Sequence, residues 1–248
     1  MKKIVTLLIF AMVLSLSCIK DSSYKKQIKF KNQGIEVPVF KINKENFTAL
    51  QSLHFYHSVG GEPIEEETLV EMKYDKDFLE IKFECRNNPR IDQNYYTQDN
   101  TYLFHQEVFE LFISNGEEAK ENYLEIQLNP NNALFLGKVT NKYKSDNSYA
   151  LELIDISKSG VEHKVEKDVK NETWKGYLKL PIALLQYPNK KPETIFRLNM
   201  FRIISTIDHT NKDWSANVEN ATFACWNSPN TTKPQFHAPE YFGYLILE

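Results

Sequence analysis

A run of alternating polar and apolar residues, Tyr123–Asn129, carries side chains whose types and spacing could bind a ligand. Glu125, Gln127 and Asn129 fall on one face of the predicted strand, and the apolar residues between them fall on the other. A sugar needs oriented carboxyl and amide groups for its hydroxyls and aromatic rings against which its C–H faces stack. The same face also fits an ordinary solvent-exposed strand surface, and the residues alone do not decide between the two.

Glycoside hydrolysis is the second chemistry to consider, because it needs two carboxyl groups at a defined separation. Glu107 and Glu110 lie three residues apart on a predicted strand, so their side chains should point to opposite faces. Glu110 and Glu125 could instead meet on adjacent strands, which the sequence leaves open. A hydrolase therefore stays a lesser alternative to a binding protein without catalysis.

Local signatures of catalysis and of metal binding are missing from the sequence. It contains no G-x-S-x-G, H-E-x-x-H or C-x-x-C motif and no glycine-rich phosphate loop. His54 and His57 stand three apart, but no further ligands follow them. Asp75 and Asp77 could contribute to a calcium site, yet no ligand set is evident. The sequence therefore predicts no cofactor and leaves calcium undecided.

The composition favours a β-rich fold and gives no charge field that would attract nucleic acid. Aromatic residues make up 13% of the chain, and aromatic-rich segments favour strands. The formal net charge is -3, with lysine and glutamate scattered along the chain. We therefore expect no nucleic-acid partner.

Short strands separated by turn residues must position the polar side chains. Alternation in Thr68–Tyr74 and Phe78–Cys85, joined by turn residues 75–77, predicts a hairpin. Helical segments are few: Pro181–Gln186 could form one turn, and Lys44–Leu53 is a weak candidate. About ten strands with turns every 8–12 residues predict an all-β fold, an antiparallel β-sandwich with minor short helices. The other predicted strands are Glu107–Ser114, Tyr123–Asn129, Ala133–Lys138, Tyr149–Ile156, Gly160–Lys167, Thr173–Leu180, Phe196–Ile204 and Gly243–Leu247.

The N-terminal segment is typical of an export signal. Residues 1–17 join two lysines to an almost unbroken apolar run that is too short to span a bilayer easily. The sequence LSLSC that follows resembles the lipobox of bacterial lipoproteins, which implies lipid on Cys18. Residues 18–33 are polar and predict a flexible tether. We expect residues 34–248 to form one domain, exported and held by the lipid anchor in the cell envelope at the outer membrane.

Cys85 and Cys225 are the cysteines left once Cys18 carries lipid. An exported compartment permits a disulfide between them. Cys85 continues the apolar alternation of its strand, which favours a buried thiol instead. Both interpretations stay open, with two separately buried thiols preferred.

Four stretches of the chain are informative in their order and spacing. They are the hairpin LVEMKYDKDFLEIKFECRN, the strand HQEVFELFISN, the hairpin NYLEIQLNPNNALF, and the closing segments FRLNMFRI and ACWNSPNTTKPQFHAPEYFGYLIL. Together they resemble a known family, the carbohydrate-binding module family 9-like domain, and the resemblance runs from about Ile35 to Glu248.

The resemblance implies a sugar site in which two aromatic rings clamp one sugar ring beside a glutamate. Glu110 matches the glutamate, Phe104 falls at one aromatic platform and Trp226 at the other. Arg202 matches an arginine of the family that either touches the ligand or forms a structural ion pair, with Glu110 as the expected partner. Phe104 departs from the pattern, because xylan-binding members have Trp at that position.

The predicted function is non-catalytic binding of a polysaccharide or oligosaccharide by a membrane-anchored lipoprotein. The expected carbohydrate-binding residues are Phe104, Glu110, Gln127, Asn129, Arg202 and Trp226. The replacement of Trp by Phe104 also leaves open a second function, a protein-interaction β-sandwich that binds no sugar. The identity of the sugar and its linkage do not follow from the sequence.

Overall fold

The computed structural model of the chain describes residues 35–119, 121–141 and 149–248. The predicted signal segment, Cys18 and the tether lie outside these residues. The helices in the described part are single turns, α1 at Ile156–Ser159 and α2 at Ile182–Leu185, and α2 confirms the turn expected near Pro181. Within the same part, no helix has the length and apolar character needed to cross a membrane. Turns of 3-10 helix occur at Ile91–Gln93, Leu103–His105, Val169–Asn171 and Pro239–Tyr241.

Strands make up most of the regular structure, which confirms the predicted all-β class. In chain order the strands of the described residues are β1 Val39–Ile42, β2 Thr48–Ala49, β3 His54–His57, β4 Pro63–Tyr74, β5 Phe78–Cys85, β6 Val108–Asn115, β7 Asn122–Leu128, β8 Leu134–Thr140, β9 Ala150–Leu153, β10 Glu162–Asp168, β11 Thr173–Pro181, β12 Ile195–Ser205, β13 Ala221–Cys225 and β14 Gly243–Leu247.

The strands form the two layers of a β-sandwich. The short layer has the order β10-β11-β5-β4, with β2 paired to β4. The long layer has the order β3-β13-β12-β6-β7-β8-β9, and β14 also pairs with β12. Neighbouring strands run antiparallel, except that β1 and β14 are parallel. The layers meet where Phe83 of β5 stacks on Phe109 of β6, with ring centroids 3.9 Å apart.

The main core lies between the layers and is built from the alternating residues of each strand. The hairpin of β4 and β5 follows the prediction, with its turn held by two backbone amides that donate to Asp75 Oδ1. This role as a turn acceptor gives Asp75 a structural function. Trp174 of β11 is fully buried and meets Phe83 edge to face. Cys85 and Cys225 are both free and buried, so the two thiols are separate as the sequence favoured.

The outer face of the long layer is also covered, which the sequence pattern did not indicate. Every residue of β6 is buried, although alternate side chains point away from the main core. Phe112, Phe201 and Phe242 belong to a small apolar cluster on this outer face, and a second small cluster contains Leu103 and Ile203. The polar residues of β7 therefore lie beneath loops instead of in open solvent.

Four short strands and several boundaries differ from the predictions. The strand predicted at Tyr149–Ile156 covers only Ala150–Leu153, and Ile156 begins α1. Strands β1, β2, β3 and β13 were not expected, and β4 begins at Pro63 instead of Thr68. The expected helix over Lys44–Leu53 is wrong, because this segment holds β2. Strands of two to five residues are too short to show an alternating pattern, and β1 forms only by pairing with β14 at the other end of the domain.

Candidate functional site

An open pocket of about 410 Å³ lies on the outer face of the long layer. Its acidic residues are Glu110 of β6 and Glu125 of β7, and its other lining residues come mostly from loops. The lining contains four partly buried aromatic side chains and two histidines, namely Phe104, Tyr149, Phe223, Phe236, His105 and His237. Carboxyl groups and aromatic rings thus occupy one concave site, which is typical of small-ligand binding.

The two carboxyl groups are brought together by the pairing of β6 with β7. Glu110 lies opposite Gln127, and Glu125 lies two residues before Gln127 on the same face. The Gln127 Nε2 group donates to Glu125 Oε1 at 2.5 Å and approaches Glu110 Oε2 at 3.4 Å. Glu110 is 2% exposed and Glu125 is 3% exposed. One amide therefore holds both acids in place at the bottom of the pocket.

Each of these acids keeps one oxygen without a hydrogen-bond partner. Glu110 Oε1 and Glu125 Oε2 are buried and accept no bond from any described residue. A buried polar atom without a partner costs free energy, so such atoms are uncommon unless a ligand or water completes them. Both atoms belong to residues that line the pocket. They are the natural contact points for a bound molecule.

Burial controls the charge of the pair. It raises the pKa of Glu125 to about 7, against a hydrogen bond from Gln127 that lowers it. Burial also raises the pKa of Glu110 well above its usual value, and the neighbouring charge of Glu125 raises it further. Two acids this close resist double ionisation. At neutral pH the pair can therefore offer both an O–H donor and acceptor oxygens.

The wall beside Glu125 is a stack that contains a neutral histidine. His237 Nδ1 lies 2.6 Å from the Tyr123 hydroxyl, and Asn141 Nδ2 donates to the His237 carbonyl at 2.7 Å. Burial lowers the pKa of His237 to about 3, so the ring is uncharged at neutral pH. Tyr149 stacks on this ring with centroids 3.8 Å apart. The wall is thus rigid, aromatic and without charge.

Phe104 and Phe236 come from segments outside the strands that are far apart in the sequence, whereas Phe223 belongs to β13. Phe104 lies in the turn Leu103–His105 and meets His105 edge to face at 4.7 Å. Phe236 stacks on Phe201 of β12 at 4.4 Å and also meets Phe223. Phe104 and Phe236 both remain partly exposed within the pocket. They can supply apolar faces to a ring-shaped ligand.

Three of the six residues expected from the sequence gather at this site. Phe104 and Glu110 line the pocket, and Gln127 lies fully buried beneath it, bonded to both acids. Asn129 does not line the pocket. Its side chain instead closes the turn after β7, because Oδ1 accepts from the amides of Asn131 and Ala133 and Nδ2 donates to the Tyr96 carbonyl.

Arg202 lies on the opposite side of the long layer, in the main core. It pairs with Glu107 at 3.1 Å and donates to Thr68 Oγ1 at 3.1 Å. The expected partner Glu110 is therefore wrong, since the alternation of β6 sends Glu107 inward and Glu110 outward. Trp174 Nε1 adds a bond to Glu107 at 3.3 Å. Arg202 has the structural ion-pair role that the sequence left open.

Trp226 does not face Phe104 across the pocket. It is 5% exposed, belongs to the main core and borders a separate cleft with β1 and β2. A β-carbon on Gly243 would lie 2.6 Å from the Trp226 ring, so the indole fills the space left by the missing side chain. The second aromatic surface of the pocket is supplied by Phe236 and Tyr149 instead.

Most residues that line the pocket were not expected as ligand contacts, among them Glu125, Tyr149, Phe236 and His237. The sequence pattern could have identified Glu125, because this residue shares the polar face of β7 with Gln127. Phe236 and His237 lie within the closing segment that supports the family resemblance, but nothing in that segment assigned them to the site. Tyr149 gave no local signal, since it reaches the site only by stacking on His237.

Metal binding has no geometric support within the described ranges. No three histidine, cysteine or acidic side chains of those ranges come together as a metal site would require. His54 of β3 instead lies 3.0 Å from the Ile64 carbonyl through Nδ1.

Comparisons with known proteins give the fold a context. No protein-family model matches the chain. An "Extracellular protein" from Arthroderma benhamiae is 26% identical over 190 residues, which is 73% of this chain and 78% of that protein. A solved structure from Bacteroides uniformis, described as a "putative carbohydrate-binding protein", has a TM-score of 0.61 at 12% identity and covers 86% of this chain and 100% of that one.

A carbohydrate-binding module family 9 from Caldicellulosiruptor kristjanssonii, solved with glucose, is also similar. It has a TM-score of 0.49 at 12% identity and covers 85% of this chain and 96% of that one. At such identities the likeness extends to the fold alone. The predicted β-sandwich is thus confirmed as the fold of this chain.

Proposed function

We propose that this domain binds carbohydrate without catalysis, in the pocket lined by Phe104, Glu110, Glu125 and Phe236. One observation carries the proposal: two buried carboxyl groups with unpartnered oxygens lie in a pocket lined by aromatic rings. Sugars present the complementary surface, because hydroxyls line the ring edge while C–H groups form its faces. The fold shared with a described carbohydrate-binding protein supports the same function.

The binding mode follows from the arrangement of the groups. Phe104 and Phe236 offer apolar faces for the sugar ring, and Glu110 Oε1 and Glu125 Oε2 accept from or donate to its hydroxyls. Gln127 fixes both acids, so little side-chain entropy is lost on binding. Because Phe gives less stacking area than Trp, we expect modest affinity for a single sugar unit.

Binding to soluble glycans tests this function directly. The chain from residue 18 onward, with Cys18→Ser to prevent acylation, is screened by affinity electrophoresis against plant, algal and animal polysaccharides. We expect retention on at least one gel and its loss in Phe104→Ala. The matched control is Tyr95→Ala, which removes an aromatic side chain that is 53% exposed and lies outside the pocket. Absence of retention by a folded protein on every gel would contradict the proposal.

Hydrolysis is the second candidate, because Glu110 and Glu125 line one pocket and both have raised pKa values. A glycosidase places its two carboxyl groups on either side of the scissile bond, about 5–10 Å apart. Here both acids lie on one face of neighbouring strands and share the amide of Gln127, which favours binding. Release of reducing ends from any retained polysaccharide, abolished by Glu110→Gln, would establish hydrolysis instead.

We also propose that the protein is exported and anchored through lipid on Cys18, with residues 18–33 as the tether. The support is the sequence LSLSC after an apolar run, together with a relative named as an extracellular protein. Detergent phase partitioning after expression in a bacterium checks the anchor. We expect the wild type in the detergent phase and Cys18→Ala in the aqueous phase. Equal partitioning of both would refute the anchor and leave the binding site untouched.

A further inference from the structure

Among the described residues, Glu110 and Glu125 of the pocket have no positively charged partner, unlike Glu107, the buried acid just before β6. Glu107 is paired with Arg202 at 3.1 Å. By contrast, the described residues that line the pocket include neither lysine nor arginine. A buried carboxylate without a compensating positive charge is costly, and buried charges are normally paired. Within the described lining no side chain supplies this positive charge, and a ligand could bring it.

The geometry leaves room for such a charge at a defined place. Glu110 and Glu125 are each more than nine-tenths buried, and each has one oxygen with no partner in the described structure. Their other oxygens are already directed to the amide of Gln127. A primary ammonium group has three N–H donors on one compact centre. It can therefore meet both free oxygens at once, which one hydroxyl proton cannot do.

The walls of the pocket also favour a cation. Phe104, Phe236 and Tyr149 expose ring surfaces to the space beside the acids. The negative face of an aromatic ring attracts a cation, and the attraction grows when the cation is removed from water. His237 carries no charge at neutral pH, so it does not repel one. Acidic groups enclosed by aromatic rings thus form a site of the kind that recognises amines.

The titratable groups that face the two acids do not disturb this charge balance. Burial raises the pKa values of Tyr123, Tyr149 and Cys225 and lowers those of His105 and His237, so all five are neutral near pH 7. Burial and the charge of Glu125 raise the pKa of Glu110 well above its usual value, and burial raises the pKa of Glu125 to about 7, so the two acids resist ionising together. The pair can then carry about one negative charge, which matches one ammonium group.

We propose that the pocket selects a sugar unit with a free primary amine, an amino sugar, whose ammonium group binds between Glu110 and Glu125 while its ring lies against Phe104 and Phe236. This inference rests on the proposed carbohydrate-binding function and names the class of sugar. The neutral sugars that share the ring shape are the competing ligands. The ammonium provides the positive charge that the pocket lacks and completes both unpartnered oxygens.

Matched oligosaccharides test the selection by calorimetry on the same preparation of the chain. The three ligands are a glucosamine oligomer, the N-acetylglucosamine oligomer of equal length and a glucose oligomer of equal length and linkage. At pH 7 we expect the amine form to bind about tenfold tighter or more than either neutral form. At pH 5 the preference should shrink, because Glu125 becomes protonated while the amine stays charged.

Variants separate the role of the acid from a general attraction of cations. Glu125→Gln should bring the amine preference close to unity at pH 7. Glu219→Gln, which changes an exposed glutamate outside the pocket, should keep it, and circular dichroism checks that both variants are folded. Equal or tighter binding of a neutral oligomer by the wild type would overturn the amine selection and leave carbohydrate binding standing. Absence of binding to all three, and to every polysaccharide in the gel screen, would overturn both.

Discussion

Glu107, just before β6, and Glu110, within it, are buried glutamates with opposite surroundings. Glu107 points into the main core, where Arg202 lies 3.1 Å away and Trp174 donates a further bond. Glu110 points to the outer pocket, where its neighbour is a second acid, Glu125. Three residues along the chain thus separate a paired acid from an unpaired one. Among the described residues, the presence of a cationic partner, and not the degree of burial, distinguishes the two acids.

The aromatic residues show the same difference between core and pocket. Trp226 is almost fully buried against Gly243 and contributes area to the main core. Phe104 keeps an exposed surface beside the two acids. The larger ring therefore packs in the core, and the smaller one lines the pocket. We therefore expect core residues to control the unfolding free energy and pocket residues to control binding.

Removal of Arg202 should give the largest loss of stability. Arg202→Met leaves Glu107 buried without its cation, which should cost about 3–5 kcal/mol of unfolding free energy. Urea denaturation measures the loss. The matched control is Arg86→Met, which breaks the partly exposed pair with Glu67 and should cost about 1 kcal/mol or less. Similar losses of unfolding free energy in the two variants would show that the pair of Arg202 and Glu107 stabilises the fold no more than a partly exposed pair does.

Truncation of Trp226 should lower the unfolding free energy nearly as much as removal of Arg202. It should leave glycan binding unchanged. Trp226→Leu removes buried ring area and should lower the unfolding free energy by about 3 kcal/mol. Phe104→Ala should cost less stability, because its ring is already partly exposed, but should abolish retention on glycan gels. Denaturation and affinity electrophoresis on both variants test these two expectations. Normal stability in Trp226→Leu together with lost binding would place the indole in the site after all.

The pocket acids should make the protein less stable as the pH rises. The pKa of Glu125 is raised to about 7 in the folded protein, so the folded state holds a proton that the unfolded chain releases at lower pH. Its contribution is complete below the unfolded pKa and is lost as the pH rises through about 7. Between pH 4 and pH 8 this should amount to about 2–3 kcal/mol.

Urea denaturation across that pH range measures the effect. Glu125→Gln should flatten the dependence, because its amide does not titrate, whereas Glu219→Gln should keep the slope. An increase of stability with pH in the wild type would contradict a protonated pair in the pocket. The same experiment with ligand present should show a smaller fall, since the ligand binds the folded state alone.

The smallest expected effect concerns the turn after β7. Asn129→Ala removes the acceptor of two backbone amides and should cost about 1–2 kcal/mol. Glycan retention should persist, because Asn129 does not line the pocket. Thermal denaturation and affinity electrophoresis check the two outcomes. Loss of binding without loss of stability would show that Asn129 contacts the ligand.

Alternation along single strands determined how much of the site was predictable. It placed Gln127 and Glu125 on one face and sent Glu107 and Glu110 to opposite faces, and the structure confirms both arrangements. It also grouped Arg202 with apolar residues, which correctly indicated the core. Alternation does not tell which face is covered by loops, so the burial of the outer face came only from the structure.

The residues that sequence reasoning missed depend on long-range packing. Tyr149 reaches the pocket by stacking on His237, and Phe236 by stacking on Phe201 of β12. Neither contact can be recognised from the local sequence pattern. Trp226 was misplaced because its aromatic type suits a sugar platform and a core equally well. The residue types suggested a site with acidic and aromatic groups. Only the fold shows which aromatic rings line the pocket.

The central claim is that the outer pocket binds sugar through Glu110 while the inner acid supports the fold. Calorimetric titration of Glu110→Gln and Glu107→Gln with one retained oligosaccharide, beside urea denaturation of both, tests it most directly. The account predicts that Glu110→Gln keeps its stability and loses binding about tenfold or more, whereas Glu107→Gln loses stability and its folded fraction binds normally. Unchanged binding in Glu110→Gln, with reduced binding in Glu107→Gln, would contradict it.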